Sequence, residues 1–145
     1  MIYTNTCKVF PNEFVHVYVW RQVAKEYLKE VWQFATKIFG AISEGLGLDP
    51  NYIESSLGDE GTQMIASNYY PTCPEPNKTL GLAPHSDHGG LTILMDNGIH
   101  GLQIKHNHIW YSVPSIPGTF IVNLGDYLEV SVIIFAFANL TYILW

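Results

Sequence analysis

The hydrophobic period of this chain changes once, near Gly61, and that change constrains the fold more than any other feature. From Arg21 onward, Val23, Tyr27, Leu28, Val31, Phe34, Ala35, Ile38, Phe39 and Ile42 recur at three and four residues. Lys25, Glu26, Lys29, Glu30 and Lys37 fall between them. That spacing predicts an amphipathic helix of about five turns, stopped by the glycines of "EGLGL". "DPNYIESSL" predicts a second, shorter helix, with Asp49 as its N-cap and Pro50 at its first position. Past Gly61 the helical period is gone. "TQMIASNYY", "LTILMD", "GLQIKH", "IWYSV" and "TFIVNLGDYLEV" are short β-prone runs divided by Pro, Gly and Asn clusters, the spacing of an antiparallel sandwich or barrel. "KHNHIWY" predicts a hairpin with Asn107 and His108 in its turn. Residues 1–20 have no clean period and read as irregular, with at most a short strand. The class is α+β, with the long helix packing on the sheets.

Composition narrows the functional classes. A chain of 145 residues, 48% hydrophobic and 14% charged, has the make-up of one globular domain. Its net charge of −6, with seven Lys and Arg, lacks the basic footprint that nucleic acid requires. Cys7 and Cys73 form no disulfide framework and read as thiols of a reducing compartment. "MIYTNTCKVFPNEF" has neither the basic start nor the apolar core of a secretory signal. The apolar end "VSVIIFAFANLTYILW" falls short of the roughly 20 residues a spanning helix needs, and it lacks basic flanks. The expectation is a cytoplasmic chain without a membrane anchor.

The chemistry concentrates in "GLAPHSDHGGLTIL". Side chains two apart along an extended segment share a face, so His85 and Asp87 can aim at one point. One imidazole nitrogen and one carboxylate oxygen suit a divalent metal of intermediate softness. They are also two of the three ligands of a two-histidine, one-carboxylate Fe(II) site. Taken alone, H-x-D arises often by chance and reads first as a polar turn, and two ligands leave affinity and geometry under-determined.

The surroundings carry more. "SNYYPTCPEPNKTLGLAPHSDHGGLTIL", followed by "GLQIKHNHIWYSVPSIPGTFIVNLGDYLEV", closely resembles the plant 2-oxoglutarate- and Fe(II)-dependent dioxygenases, such as flavanone 3-hydroxylase, flavonol synthase and anthocyanidin synthase. The resemblance runs from about Arg21 to Val130. It implies a double-stranded β-helix, or jelly roll, with iron in its mouth, preceded by the helix pair. It implies Fe(II) and 2-oxoglutarate as cofactor and cosubstrate, molecular oxygen as oxidant and ascorbate as a supporting reductant. The substrate it implies is a small plant metabolite, a flavonoid or phenolic, that is hydroxylated or desaturated. By position, His85 and Asp87 match the first histidine and the carboxylate of the iron triad. Asn68 and Tyr70 match the N-x-Y pair that contacts 2-oxoglutarate. The organisation expected is an irregular segment over 1–20, helices over 21–60, a partial jelly roll over 61–130 and a divergent apolar tail over 131–145.

The family pattern continues with a distal histidine and an R-x-S pair whose arginine clamps the far carboxylate of 2-oxoglutarate. From Ser131 the chain reads "SVIIFAFANLTYILW", with no His and no Arg, and Arg21 is its last arginine. The expectation is an incomplete jelly roll, its third ligand absent, with an inactive, truncated fragment as the alternative to an active dioxygenase. The tail is expected either to add one strand to an open edge or to aggregate. His88 sits too close to Asp87 to supply the far side of a triad. His100, His106 and His108 fall on loop or hairpin positions, and His108 stands where relatives commonly have glycine. Tyr27, Phe34 and Phe39 read as core, and Asp126 as part of a turn between strands.

Overall fold

The computed structural model describes residues 14–57, 62–133 and 142–144. Cys7, most of the segment 1–20 and most of the tail 131–145 lie outside the described residues. The chain divides into two units, residues 2–67 and 68–145, a few residues beyond the change of period.

The first unit is helical. Helix α1 runs Phe14–Gly45 and α2 runs Tyr52–Ser56. The earlier start of α1 corrects the irregular reading of residues 14–20. The β-branched and aromatic run "FVHVYVW" has weak helix propensity, but extending an existing helix is far easier than nucleating one. Ala35, Phe39 and Ser43 form the buried stripe of α1 at four-residue spacing, and α2 adds Ile53 to that core. Phe34, expected in the core, is exposed.

The C-terminus of α1 closes as a Schellman motif. Gly47, at φ +73°, lets Leu48 N–H reach the Ser43 carbonyl and Gly47 N–H reach that of Glu44, both at 2.9 Å. The fully buried Ser43 hydroxyl then accepts the Ile53 N–H at 3.3 Å and ties α2 to α1. The N-cap of α2 is Asn51, not Asp49. Asp49 instead accepts Asn51 N–H through its side chain at 2.8 Å, a turn that brings the chain into the helix two residues later.

The second unit is built from short antiparallel strands. Strand β1 (Leu91–Leu94) pairs with β4 (Ile121–Leu124). A separate sheet has the order β3-β2-β5, where β2 is Gln103–His106, β3 Ile109–Ser112 and β5 Tyr142–Leu144. The β2–β3 turn is Asn107–His108, with both residues at positive φ (49° and 65°), as a two-residue hairpin of type I′ demands. Lys105 faces Trp110 across this hairpin, its ammonium 5.6 Å from the ring centroid. Ile93, Leu102 and Leu128 form the buried apolar set of the unit.

Two strand readings are corrected. "TQMIASNYY" carries no strand pairing over 62–70. "DYLEV" is the start of helix α3, Asp126–Ile133, rather than a continuation of β4. Asp126 and Glu129 supply the acidic first turn that favours a helix N-terminus, and this outweighs the β-propensity of Tyr127 and Val130. Among the described residues no helix is long and apolar enough to cross a membrane.

Candidate metal centre

The β1–β4 ladder sets up the site. Its register places Thr92 directly opposite Asn123. Both side chains converge on one oxygen of Asp87: Thr92 Oγ1 donates to Oδ2 at 2.5 Å and Asn123 Nδ2 donates to it at 3.0 Å. The Asp87 side chain is only 5% exposed, so this oxygen is fully engaged inside the protein. The other oxygen, Oδ1, stands 3.4 Å from Nε2 of His85.

The tautomer of His85 follows from its second nitrogen. Nδ1 lies 2.9 Å from the carbonyl oxygen of Ala83, which only accepts, so Nδ1 carries the proton and Nε2 presents a lone pair. A nitrogen lone pair and a carboxylate oxygen thus face each other across a short gap. That arrangement is repulsive unless a proton or a cation lies between them. Two donors on one divalent ion at about 2.1 Å and right angles stand about 3 Å apart. The 3.4 Å separation therefore suits a shared metal with little adjustment, and the residues present fit two sites of a metal's coordination sphere.

The neighbouring residues point the other way. Ser86 Oγ donates to Asp126 Oδ2 at 3.0 Å, and His88 Nδ1 donates to the same oxygen at 3.2 Å. The Asp126 backbone N–H donates to the Asp87 carbonyl at 2.6 Å, and Gly125 N–H to that of Gly90 at 2.9 Å. His88 is therefore committed to Asp126. His100 accepts the Ser115 N–H at 3.4 Å, and His106 bonds Asn107 at 3.1 Å. His108 is exposed in the hairpin turn. Among the described residues no cluster of three or more His, Cys, Asp or Glu side chains is assembled.

Asn68 and Tyr70 lie two residues apart in the segment before the pair, which carries no regular secondary structure. Asn68 is exposed, while Tyr70 is 43% exposed. Partial burial raises the Tyr70 phenol above its ordinary range. The structure thus joins His85 to Asp87 directly and places Asn68 and Tyr70 in the same unit. Reading the sequence missed Thr92 and Asn123, and placed Asp126 in a turn between strands without its bonds to residues 86–88. Their signal was only positional: a Thr in the run after H-x-D and an N-x-G-D at the end of a later strand.

A family model described as the 2OG-Fe(II) oxygenase superfamily matches residues 61–132. Oxoglutarate-dependent flavonoid 7-O-demethylase 1 of Ocimum basilicum is 45% identical over 111 residues, covering 76% of this chain and 30% of the relative. A 1-aminocyclopropane-1-carboxylate oxidase homolog of Arabidopsis thaliana is 41% identical over 109 residues, covering 75% of this chain and 29% of the relative. The crystal structure of JOX2 in complex with 2OG, Fe and JA superposes with a TM-score of 0.73 at 31% identity, covering 94% of this chain and 39% of that one. The chain spans less than a third of the length of these two curated relatives.

Proposed function

The chain belongs to the 2OG-Fe(II) oxygenase superfamily, and from that premise we propose that it carries the His-x-Asp half of an Fe(II) site in a dioxygenase acting on a small plant metabolite, such as a flavonoid or phenolic. The observation that carries the reading is the asymmetry of Asp87. One carboxylate oxygen is held by Thr92 and Asn123, and the other is left facing the lone pair of His85.

Each residue then has a task. His85 and Asp87 would hold the metal. Ala83, through its carbonyl, keeps the His85 ring in the tautomer that can donate a lone pair. Thr92 and Asn123 stop the carboxylate of Asp87 from rotating and neutralise part of its charge by hydrogen bonding. Asn68 and Tyr70 would contact 2-oxoglutarate, Tyr70 through its hydroxyl. When bound, Fe(II) with 2-oxoglutarate and oxygen supplies the oxidising power for C–H attack, and the protein's part is to orient and shield.

A second reading is that the chain as given holds metal weakly and does not turn over. It is favoured by the engagement of His88, His100 and His106 with other partners. One assay separates the two. Purified chain is given Fe(II), ascorbate, 2-oxoglutarate and a panel of flavonoids and phenolics, and succinate is measured against a His85→Ala control. Succinate above the control supports the dioxygenase; equality with it supports the inactive reading.

A further inference from the structure

We propose that Asp126 is a positioning residue for the metal-ligand turn, clamping residues 86–88 from the side away from the metal. The inference rests on reading His85 and Asp87 as ligands. In an extended segment, side chains at 85 and 87 face one way and those at 86 and 88 the other. Both outward-facing side chains, Ser86 and His88, end on the same carboxylate oxygen of Asp126, at 3.0 and 3.2 Å. The residue between them is held as well, because Asp126 N–H donates to the Asp87 carbonyl at 2.6 Å. Three consecutive residues are thus bonded to one residue distant in sequence.

Asp126 is the first residue of α3, after Gly125, whose carbonyl accepts the Glu129 N–H at 2.9 Å; its acidic side chain complements the helix N-terminus. Its carboxylate also reaches back to the turn at residues 86–88. The preceding residues make this possible. A Cβ on Gly125 would lie 2.0 Å from the Gly89 carbonyl oxygen and 2.8 Å from that of Asp87. Only the bare backbone of glycine lets the two segments lie this close. Asn123, two residues earlier, reaches the Asp87 carboxylate itself. "NLGD" therefore works as one cradle: Asn123 aims the carboxylate, Gly125 permits the approach, and Asp126 fixes the backbone and the far side of the turn. Without the clamp, residues 86–88 can rotate, and the His85–Asp87 separation is no longer defined.

The test compares the full chain with Asp126→Ala, Asp126→Asn and Ser86→Ala. Asparagine keeps an oxygen that accepts from Ser86 and His88, and Ser86→Ala removes one clamp bond without touching α3. Nitrogen-15 NMR of the imidazole rings reads the tautomer of His85 without metal. Paramagnetic broadening by Mn(II) reads the metal site. Asp126→Ala and Ser86→Ala are expected to weaken the Nδ1–H preference of His85 and to raise the Mn(II) needed for equal broadening by about tenfold. Asp126→Asn should stay within about twofold of the parent. Parent-like tautomer and Mn(II) dependence in Asp126→Ala would overturn the proposal. So would an Asp126→Asn chain as impaired as Asp126→Ala beside a parent-like Ser86→Ala. If Asp126→Ala does not fold, Ser86→Ala carries the comparison. If the parent broadens no more than His85→Ala, the metal reading fails, and the tautomer data still decide the clamp.

Discussion

Gly125→Ala is the sharpest test of how the turn at His85–His88 is held. The added methyl would sit 2.0 Å from Gly89 O, 2.7 Å from Gly89 C and 2.8 Å from Asp87 O, all backbone atoms that no rotamer change can move aside. An ordinary C···O contact is about 3.3 Å or longer, so the two segments must part by about 1 Å. That movement stretches three bonds beyond use. They are Gly125 N–H to Gly90 O at 2.9 Å, Asp126 N–H to Asp87 O at 2.6 Å, and Asn123 Nδ2 to the Asp87 carboxylate at 3.0 Å. With about 1 kcal/mol for each neutral bond and about 1.5–3 for the one to a carboxylate, the expected loss is about 3–5 kcal/mol. For a urea dependence of about 1–3 kcal/mol per molar, the midpoint falls by about 2 M. The long helix α1 dominates circular dichroism, so unfolding is best followed by the amide resonances of β1 and β4. Gly45→Ala is the control: it ends α1, its Cβ meets nothing within 4 Å, and it should gain about 0.5–1 kcal/mol. A Gly125→Ala midpoint within about 0.3 M of the parent would show that the close approach is not what holds the turn.

Three further outcomes are expected. Thr92→Val leaves the buried Asp87 oxygen with one donor fewer and should destabilise β1–β4 by about 1–3 kcal/mol in the same titration, whereas Thr92→Ser should lose much less; equal losses would mean that packing, not the hydroxyl, matters. His108→Gly should stabilise the β2–β3 hairpin by about 1 kcal/mol, because His108 occupies φ +65°, a region unfavourable to side chains, and a lowered thermal midpoint would contradict this. The Asp96 carboxyl is held below its ordinary range by the Ser115 hydroxyl and then by Gly98 N–H, helped by His100. A depressed acid stabilises the fold above its unfolded pKa of about 3.9, and that contribution is lost as pH falls through the folded value. Ser115→Ala should raise the Asp96 titration seen by carbon-13 NMR, and an unmoved titration would remove Ser115 as the cause.

The parts legible in sequence are those whose cause is local. The Ala35–Phe39 part of the α1 stripe, the glycines after it and the Asn107–His108 turn each follow from residues within a few positions of one another, whereas Val23 and Phe34, read into the same stripe, are exposed. Local reading failed where neighbours compete. "FVHVYVW" looks extended by propensity yet continues α1, and "DYLEV", read as the end of a β-prone run, starts a helix on its acidic first turn. The site divides along the same line. His85 and Asp87 are visible because an extended segment brings i and i+2 to one face. What turns them from a polar turn into a defined pair comes from 36 to 40 residues away, in Asn123 and Asp126, and no period or spacing announces it. Such residues become legible only through register: once Thr92 is opposite Asn123, a donor pair must straddle the end of β1, and Asp87 is the acceptor there. The direction of the Asp87 carboxylate is therefore a property of the β1–β4 ladder more than of the H-x-D segment. A single-residue slip in that ladder would turn Thr92 and Asn123 to opposite faces and abolish the pair while leaving the motif untouched.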